Sequence, residues 1–180
     1  MKKIIALFLA ALMLITFAAC GGAGIGRNDG TETKKVSDDK GSEVQLNGDT
    51  ISLDYDTHHK DMFFKANLLD FYTDTAGSLC QLAYRQDGDV TYKINILYFE
   101  GKSIEEAMGD SAAVMTDKTV NGLAYKYLET NIEYTDKTVP AHVYAYNFDG
   151  TTYTVNFISE YDMSSLESGF LNTVRFEKSE

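Results

Sequence analysis

Apolar and polar residues alternate along several segments of the chain, which predicts β-strands with one buried face. The first clear example is Thr50–Asp56. Two longer runs, Leu79–Arg85 and Val90–Phe99, lie on either side of Asp87-Gly88. Because Asp-Gly readily adopts the positive φ angles of a tight two-residue turn, these runs predict a β-hairpin.

A second hairpin is predicted for Ala141–Ile158, around Asp149-Gly150. A two-residue turn there places aromatic residues on one face and small or polar residues on the other. The predicted cross-strand pairs are Tyr146 with Tyr153, Tyr144 with Val155 and His142 with Phe157 on the aromatic face, and Ala145 with Thr154 and Val143 with Asn156 on the other.

Helix signals stand between and after these hairpins. Ser103 and Glu106 have the spacing of a capping box, in which each side chain bonds the other residue's backbone N–H. The apolar residues that predict a helix after it are Ile104, Ala107, Met108, Ala112 and Met115. A second helix is predicted over Asp162–Leu171, with Met163, Leu166 and Phe170 facing inward, before a last strand at Val174–Phe176.

The order of these elements predicts an α+β fold with a mainly antiparallel β-sheet flanked by helices. A strand at Leu123–Glu129 lies between the first helix and the second hairpin, and Pro140 marks a strand start. The segment Asp61–Tyr72 allows two interpretations, a short helix or irregular structure that contains a strand.

Four segments of this order are informative. Tyr98-Phe99-Glu100 precedes the capped helix, and Val120–Ala124, Tyr153–Phe157 and Leu171–Phe176 follow it. Together with the order of elements, these segments resemble the Mog1/PsbP-like fold, an α/β/α sandwich found in many small bacterial lipoproteins. The resemblance covers Ile51–Phe176. It implies a binding or assembly factor, because members of that fold group are mostly regarded as such and not as enzymes.

The N-terminus has the pattern of an export signal. Lys2 and Lys3 precede the apolar run Ile4–Ala19, which is shorter than the about 20 residues that span a bilayer. The last residues, Phe17-Ala18-Ala19-Cys20, resemble the lipobox of bacterial lipoproteins. That resemblance implies a diacylglyceryl group on Cys20, which would become the mature N-terminus. The alternative is ordinary secretion with cleavage after Ala19 or Ala18.

The predicted organisation is a signal peptide at 1–19, a lipid-anchored flexible linker at 20–43 and a single α+β domain at 44–180. The linker is rich in Gly, Ser, Thr and charged residues and has little apolar surface to bury. If Cys20 carries lipid, Cys80 is left alone, so the domain has no internal disulfide. Its neighbours favour a buried position for Cys80.

The charge balance excludes one class of partner. The chain has 16 basic and 27 acidic residues, a formal net charge of -11. Nucleic-acid binding requires clustered Lys and Arg, so we expect no nucleic-acid partner.

Two groups of residues are candidates for chemistry. Asp54, Asp56, His58 and His59 could coordinate a divalent metal such as Zn²⁺ if the first strand continued through His58. The alternative is the solvated face of a strand that passes into a polar turn.

The second candidate is a binding surface formed by His142, Tyr144 and Tyr146 on the aromatic face of the second hairpin. A core or edge histidine is the preferred interpretation of His142, because no nucleophile or carboxylate partner can be assigned to it from position. The sequence also has no phosphate-binding glycine loop that follows a strand, and no Cys-x-x-Cys or His-Glu-x-x-His motif.

These observations predict a membrane-anchored extracytoplasmic lipoprotein, held to the cell membrane by its lipid. Its domain is expected to be a non-catalytic protein-binding or assembly module with a protein partner in the cell envelope. The alternative is a lipoprotein that binds a small molecule or a divalent metal for uptake or sensing. No other cofactor is expected.

Overall fold

The computed structural model describes residues 34–35, 42–67 and 70–178. The strands are β1 (Lys34–Lys35), β2 (Ser42–Leu46), β3 (Asp49–Leu53), β4 (Tyr55–His59), β5 (Met62–Ala66), β6 (Phe71–Thr73), β7 (Leu79–Gln86), β8 (Asp89–Glu100), β9 (Thr116–Val120), β10 (Leu123–Glu133), β11 (Thr138–Phe148), β12 (Thr151–Ser159) and β13 (Arg175–Phe176). The helices are α1 (Ile104–Met108), which a 3-10 helix at Gly109–Val114 continues, and α2 (Ser164–Leu171).

A seven-stranded sheet is the largest element of the fold, with the order β6-β7-β8-β12-β11-β10-β9. All its neighbouring strands are antiparallel. A smaller sheet has the order β1-β4-β5-β13, and β2 pairs with β3 alone. The prediction of a mainly antiparallel sheet is therefore confirmed, and two α-helices occur among the described residues.

The core lies between one face of the large sheet and the elements that pack on it. Phe157 of β12 contacts Phe170 of α2, and Phe170 in turn contacts Phe64 of β5. His59 of β4 packs on Tyr98 of β8. The small sheet and α2 thus cover the same face of the large sheet.

Both predicted Asp-Gly hairpins are confirmed. Asp87 and Gly88 have φ angles of 52° and 91°, and Asp149 and Gly150 have 48° and 78°. All five cross-strand pairs predicted for the second hairpin occur in the register of β11 and β12. The Asp149-Gly150 turn therefore sets the register of its whole hairpin, because a two-residue turn fixes which residues face each other. In the first hairpin the turn sets only the pairs Gln86–Asp89 and Arg85–Val90, and an irregularity between Tyr84 and Arg85 then shifts the register.

The first predicted strand is divided at Asp54. Ile51 and Leu53 lie in β3, with Leu53 buried as predicted, but β3 pairs with β2. The following strand β4 pairs with β1 and β5 instead. Asp54 is therefore the point at which the chain passes from one sheet to another.

For the segment Asp61–Tyr72, the helix interpretation is wrong and the strand interpretation is confirmed. Met62, Phe64 and Ala66 are buried at every second position of β5. Phe71 and Tyr72 belong to β6, a short edge strand of the large sheet. Both faces of β5 contact other residues and carry apolar side chains, so the two-residue alternation of a strand is not clear in the sequence. The same apolar residues also fit a helix.

The first helix begins as predicted and ends early. The reciprocal bonds of the capping box are present between Ser103 and Glu106. At Gly109 the φ angle is 56°, outside the α-helical region, and the backbone continues as a 3-10 helix. Ala112 therefore lies in the 3-10 segment and Met115 after it, where β9 follows, a strand that the sequence did not predict.

Pro140 is the third residue of β11, so the strand begins two residues earlier than predicted. It is tolerated because the register of β11 with β12 begins only at Ala141 and Ile158. The second helix begins at Ser164, two residues later than predicted, and Met163 immediately precedes it. Met163, Leu166 and Phe170 are all buried, as predicted.

The predicted signal peptide and Cys20 lie outside the described residues. Within the segment predicted as a linker, Lys34–Lys35 pair with β4 and Ser42–Glu43 belong to β2. Over the described ranges, no helix has the length and apolar character needed to cross a membrane.

Candidate functional site

A group of polar side chains in mutual contact surrounds Glu167 of α2. The inward face of this helix carries Leu166 and Phe170, with Met163 just before its start, and Glu167 lies beside them at helical spacing. Its carboxylate is therefore turned towards the large sheet, and the residue is 6% exposed. A carboxylate in such a position requires hydrogen-bond donors, because an unpaired buried charge is strongly destabilising.

Donors from the sheet surround this carboxylate. The Tyr144 hydroxyl donates to Oε2 at 2.7 Å, and Nδ1 of His142 bonds Oε1. The Lys118 ammonium donates to the Tyr144 hydroxyl at 2.6 Å and lies 4.0 Å from Oε2 of Glu167. We call these residues the Glu167 network, and it joins α2 to β9 and β11.

Tyr127 of β10 completes the surroundings of the Glu167 network. The Lys118 ammonium lies 4.0 Å from the centre of the Tyr127 ring and 4.9 Å from that of Tyr144. The Tyr127 hydroxyl donates to Glu129 at 2.7 Å, and its ring meets His142 edge to face. The ammonium is thus stabilised by two aromatic faces and a buried carboxylate.

Burial perturbs the acid–base properties of both tyrosines. Burial raises the pKa of the Tyr144 hydroxyl, and its hydrogen bond to Glu167 raises that pKa further. For Tyr127, burial and the hydrogen bond to Glu129 also raise the pKa. Both hydroxyl groups therefore keep their protons at neutral pH and serve as donors.

The orientation of the His142 ring brings Nδ1, and not Nε2, to the Glu167 carboxylate. A carboxylate that is ionised only accepts hydrogen bonds, so in that pairing Nδ1 is the donor. The His142 side chain is 26% exposed. A histidine held in this way can act as a base or as a metal ligand through Nε2. Here its bond to Glu167 also holds α2 against the sheet.

Two of the three residues predicted as a binding surface therefore belong to one network. His142 and Tyr144 both bond Glu167, whereas Tyr146 stacks on Phe176 of β13 at 4.7 Å between ring centres. The sequence did not reveal Glu167, Lys118 or Tyr127 as members. The one sequence signal that could have indicated Glu167 is its position beside the inward residues of the predicted second helix.

The four predicted metal ligands are divided between different surfaces. Asp54 lies between strands, whereas Asp56 and His58 alternate with the buried Thr57 and His59 along β4. Because successive residues of a strand point to opposite faces, His58 and His59 point away from each other. Across the part of the chain that the structure describes, no group of three His, Cys, Asp or Glu residues could hold a metal ion.

His59 has an environment of its own. Its ring packs on Tyr98 at 5.2 Å, and Nε2 lies 3.4 Å from the backbone oxygen of Ser78. Burial lowers the pKa of His59 and outweighs the opposite effects of the Ser78 carbonyl and the Asp74 carboxylate. Cys80, in β7, is a free buried cysteine, as predicted, and burial raises the pKa of its thiol.

A shallow, open depression of about 330 Å³ lies where β8 meets α1. Lys102, Ser103 and Asn147 line it, and the side chains of Asn147 and Thr152 donate to the backbone oxygen of Lys102. The depression is separate from the Glu167 network. Its lining residues are thus engaged in holding the loop before α1.

No protein-family model and no curated protein matches this chain. A crystal structure from Bacteroides thetaiotaomicron VPI-5482, at 1.50 Å resolution, is similar to it, with a TM-score of 0.50 and 13% sequence identity. The similarity covers 66% of this chain and 46% of that chain, so the chain spans less than half of the other protein's length. At this identity the likeness concerns the fold alone.

Proposed function

We propose that this chain is a lipoprotein, anchored by a diacylglyceryl group on Cys20 at the extracytoplasmic face of the cell membrane. Its domain acts as a non-catalytic module that binds an envelope protein or assists in its assembly. The export pattern of residues 1–20 supports the address. Two acyl chains on one residue suffice for stable attachment, whereas one gives only marginal binding.

The mutual engagement of the side chains in the Glu167 network is the observation that supports the non-catalytic role. Glu167 accepts from His142 and Tyr144, and Lys118 donates to Tyr144. These groups are therefore used to hold α2 on the sheet. We therefore propose that the domain presents its surface to a partner, with the Glu167 network serving the fold.

A Mog1/PsbP-like fold is part of the proposal. The order of elements supports it, since the capped α1 follows β8, and the hairpin β11–β12 precedes α2 and β13. In this assignment, α2 lies on one face of the large sheet and α1 with its 3-10 continuation approaches the other at β11.

The address is tested by replacing Cys20. In a bacterial host grown with an alkyne-labelled fatty acid, we expect the full chain to incorporate the label and to remain with the membrane fraction. The Cys20→Ser variant should lose both properties, because a hydroxyl cannot form the thioether to the lipid. The matched control is Cys80→Ala, which should keep the label. Equal labelling of the Cys20→Ser variant contradicts the anchor.

The binding role is tested by crosslinking the anchored protein in its own membrane. A photoreactive residue at exposed positions such as Tyr72, Val114 and Tyr161 samples three parts of the surface. A discrete protein adduct from one region, absent from the others, supports the module. If no position gives an adduct, and a small molecule or divalent metal raises the melting temperature, the binding-lipoprotein alternative replaces it.

A further inference from the structure

The end strand of the large sheet, β9, covers only part of its neighbour β10. β9 pairs with Leu123–Tyr127 of β10, whereas Leu128–Glu133 has no strand on its outer side among the described residues. We call the outer backbone of Leu128–Glu133 the open edge. Glu129, Asn131 and Glu133 are all exposed there. An uncovered edge of this kind is a template for an additional strand.

The turn between β9 and β10 determines which backbone groups point to the open edge. Residues that flank a two-residue turn exchange both backbone hydrogen bonds, so Val120 and Leu123 form such a pair. Every second residue of β10 after Leu123 has the same orientation. The N–H and C=O groups of Glu129, Asn131 and Glu133 therefore point away from β11.

Pro140 supports this alternation from the other strand. It lies opposite Asn131, and a residue without an N–H suits a pair that exchanges no hydrogen bonds. On the β12 side, the next bonded pair would be Pro140 with Ser159. That ladder ends instead at Ala141 and Ile158, although β12 continues to Ser159. The two ladders thus give the same orientation for Asn131.

We propose that the open edge binds an extended segment of a partner protein as an added β-strand, and that this segment alternates basic and apolar residues. The proposal rests on the binding function proposed above and gives it a surface and a partner chemistry. Main-chain hydrogen bonds along Leu128–Glu133 would provide the affinity, and the side chains on either face would provide the selectivity.

The side chains of β10 define this selectivity. Glu129 and Glu133 lie on one face of the sheet, with exposed carboxylates. Leu128 and Ile132 lie on the opposite face, on either side of Thr130. An added strand has the same alternation, so basic residues would face the two carboxylates and apolar residues would extend the other face.

A second copy of this chain is a poor occupant of the open edge. Antiparallel pairing of two such edges would place Glu129 of one copy opposite Glu133 of the other, and Glu133 opposite Glu129. Like charges directly opposite each other are destabilising in a sheet. The net charge of -11 adds repulsion between copies.

The first measurement is backbone amide exchange by NMR on the full chain in a non-ionic detergent. We expect fast exchange for the amides of Glu129, Asn131 and Glu133, and slow exchange for those of Thr130 and Ile132, which point to β11. Slow exchange at all five amides overturns the proposal, because the edge would then already be paired. That outcome would leave the crosslinking result unchanged, so failure of the open-edge proposal can be distinguished from failure of the proposed binding function.

The second measurement adds the blocked peptide acetyl-Lys-Val-Thr-Val-Lys-amide to the same sample. We expect shifts and protection centred on the amides of Glu129, Asn131 and Glu133. The charge-reversed peptide acetyl-Glu-Val-Thr-Val-Glu-amide should bind at least about tenfold more weakly than the basic peptide. Equal binding of the two peptides, no binding of either, or shifts elsewhere on the protein overturns the proposal.

Variants at Asn131 test the backbone itself. Asn131→Pro removes an outward N–H without removing a bond to β11, and should weaken the basic peptide about tenfold. Asn131→Ala keeps the N–H and should keep the affinity. Slow exchange at Thr130 and Ile132 shows that each variant retains the β10–β11 ladder. Equal affinity of the two variants, or self-association of the chain through this edge by sedimentation, overturns the assignment.

Discussion

Glu167 shows how one buried charge can specify the position of a helix. Its two carboxylate oxygens accept from His142 and Tyr144, which lie on the same face of β11, two residues apart. A helix that turned or moved would leave a carboxylate and two donors without partners in a buried environment. The cost of unmade hydrogen bonds therefore restricts α2 more narrowly than apolar contacts alone.

We predict that Glu167→Gln lowers the free energy of unfolding by about 2 kcal/mol, because hydrogen bonds to a charged group are lost and an amide N–H₂ meets donors. The measurement is urea denaturation at neutral pH. The control is Glu177→Gln, an exposed carboxylate paired with Arg175, which should change stability by less than about 0.5 kcal/mol. Equal effects of the two variants would show that the network is not stabilising.

His59 should make the stability of the fold depend on acidity. Its folded-state pKa is lowered by burial, so the unfolded chain binds a proton there more readily than the folded chain. The stabilisation is complete above the ordinary histidine pKa of about 6.5 and is lost as the pH falls towards the folded-state value. We therefore expect the urea midpoint to fall between about pH 7 and pH 5.

The variant His59→Gln isolates this contribution, because an amide does not titrate in that range. Its urea midpoint should fall less than that of the wild type between the same two pH values. The matched control is His58→Gln on the opposite face of β4, which leaves the buried imidazole in place and should retain the acid-side loss. A His59→Gln variant with the full wild-type loss would rule out His59 as its source.

At the scale of elements, the contact between α2 and β2 depends on the absence of a side chain. A methyl group at Gly169 would overlap Cγ1 of Val44, which is fully buried in the core. Helix and strand therefore approach closely at this point. Val44 cannot move aside easily, since its branched side chain has few rotamers and is enclosed by the core.

We predict that Gly169→Ala destabilises the protein by about 1–3 kcal/mol, although alanine is the better helix former by about 1 kcal/mol. Adding Val44→Ala should make the two losses less than additive, because it removes the overlapping methyl group. Ser168→Ala, on the exposed side of α2, is the control for helix propensity. A gain in stability for Gly169→Ala would mean that the close approach is absent. The measurement is urea denaturation.

The elements that could be predicted from the sequence are those whose signals are local. Asp87-Gly88 and Asp149-Gly150 determine their hairpins within a few residues, and Ser103 with Glu106 determines a helix start. The division of the first strand at Asp54 could not be predicted in this way. It depends on which partner strand each half meets, and those partners lie elsewhere in the chain.

The Glu167 network could be predicted only in part for the same reason. His142 and Tyr144 stood out because they share a hairpin face. Glu167 lies 23 residues after Tyr144 in the sequence. Lys118 lies 26 residues before Tyr144, on the edge strand β9, which was not predicted. Contacts over such separations follow from the packing of whole elements, which alternation and capping signals do not describe.

At the scale of the molecule, one face of the large sheet is enclosed, whereas the outer edge of β10 is partly exposed. The small sheet and α2 enclose the aromatic core on one face, and β9 closes part of the outer edge of β10. The exposed part of that edge carries Glu129 and Glu133. The open edge therefore has an acidic border, and in our proposal this border selects among extended segments by charge.

The two sides of the β10–β11 hairpin are not equivalent. On the side of β10 the open edge can accept a further strand, whereas on the side of β11 the residues Ala141–Phe148 already pair with β12, and Pro140 has no N–H to continue that ladder. Filaments of the cross-β kind need an open edge on both sides of each unit. At this hairpin the protein can therefore be capped by one added strand but offers no second edge from which a filament could grow.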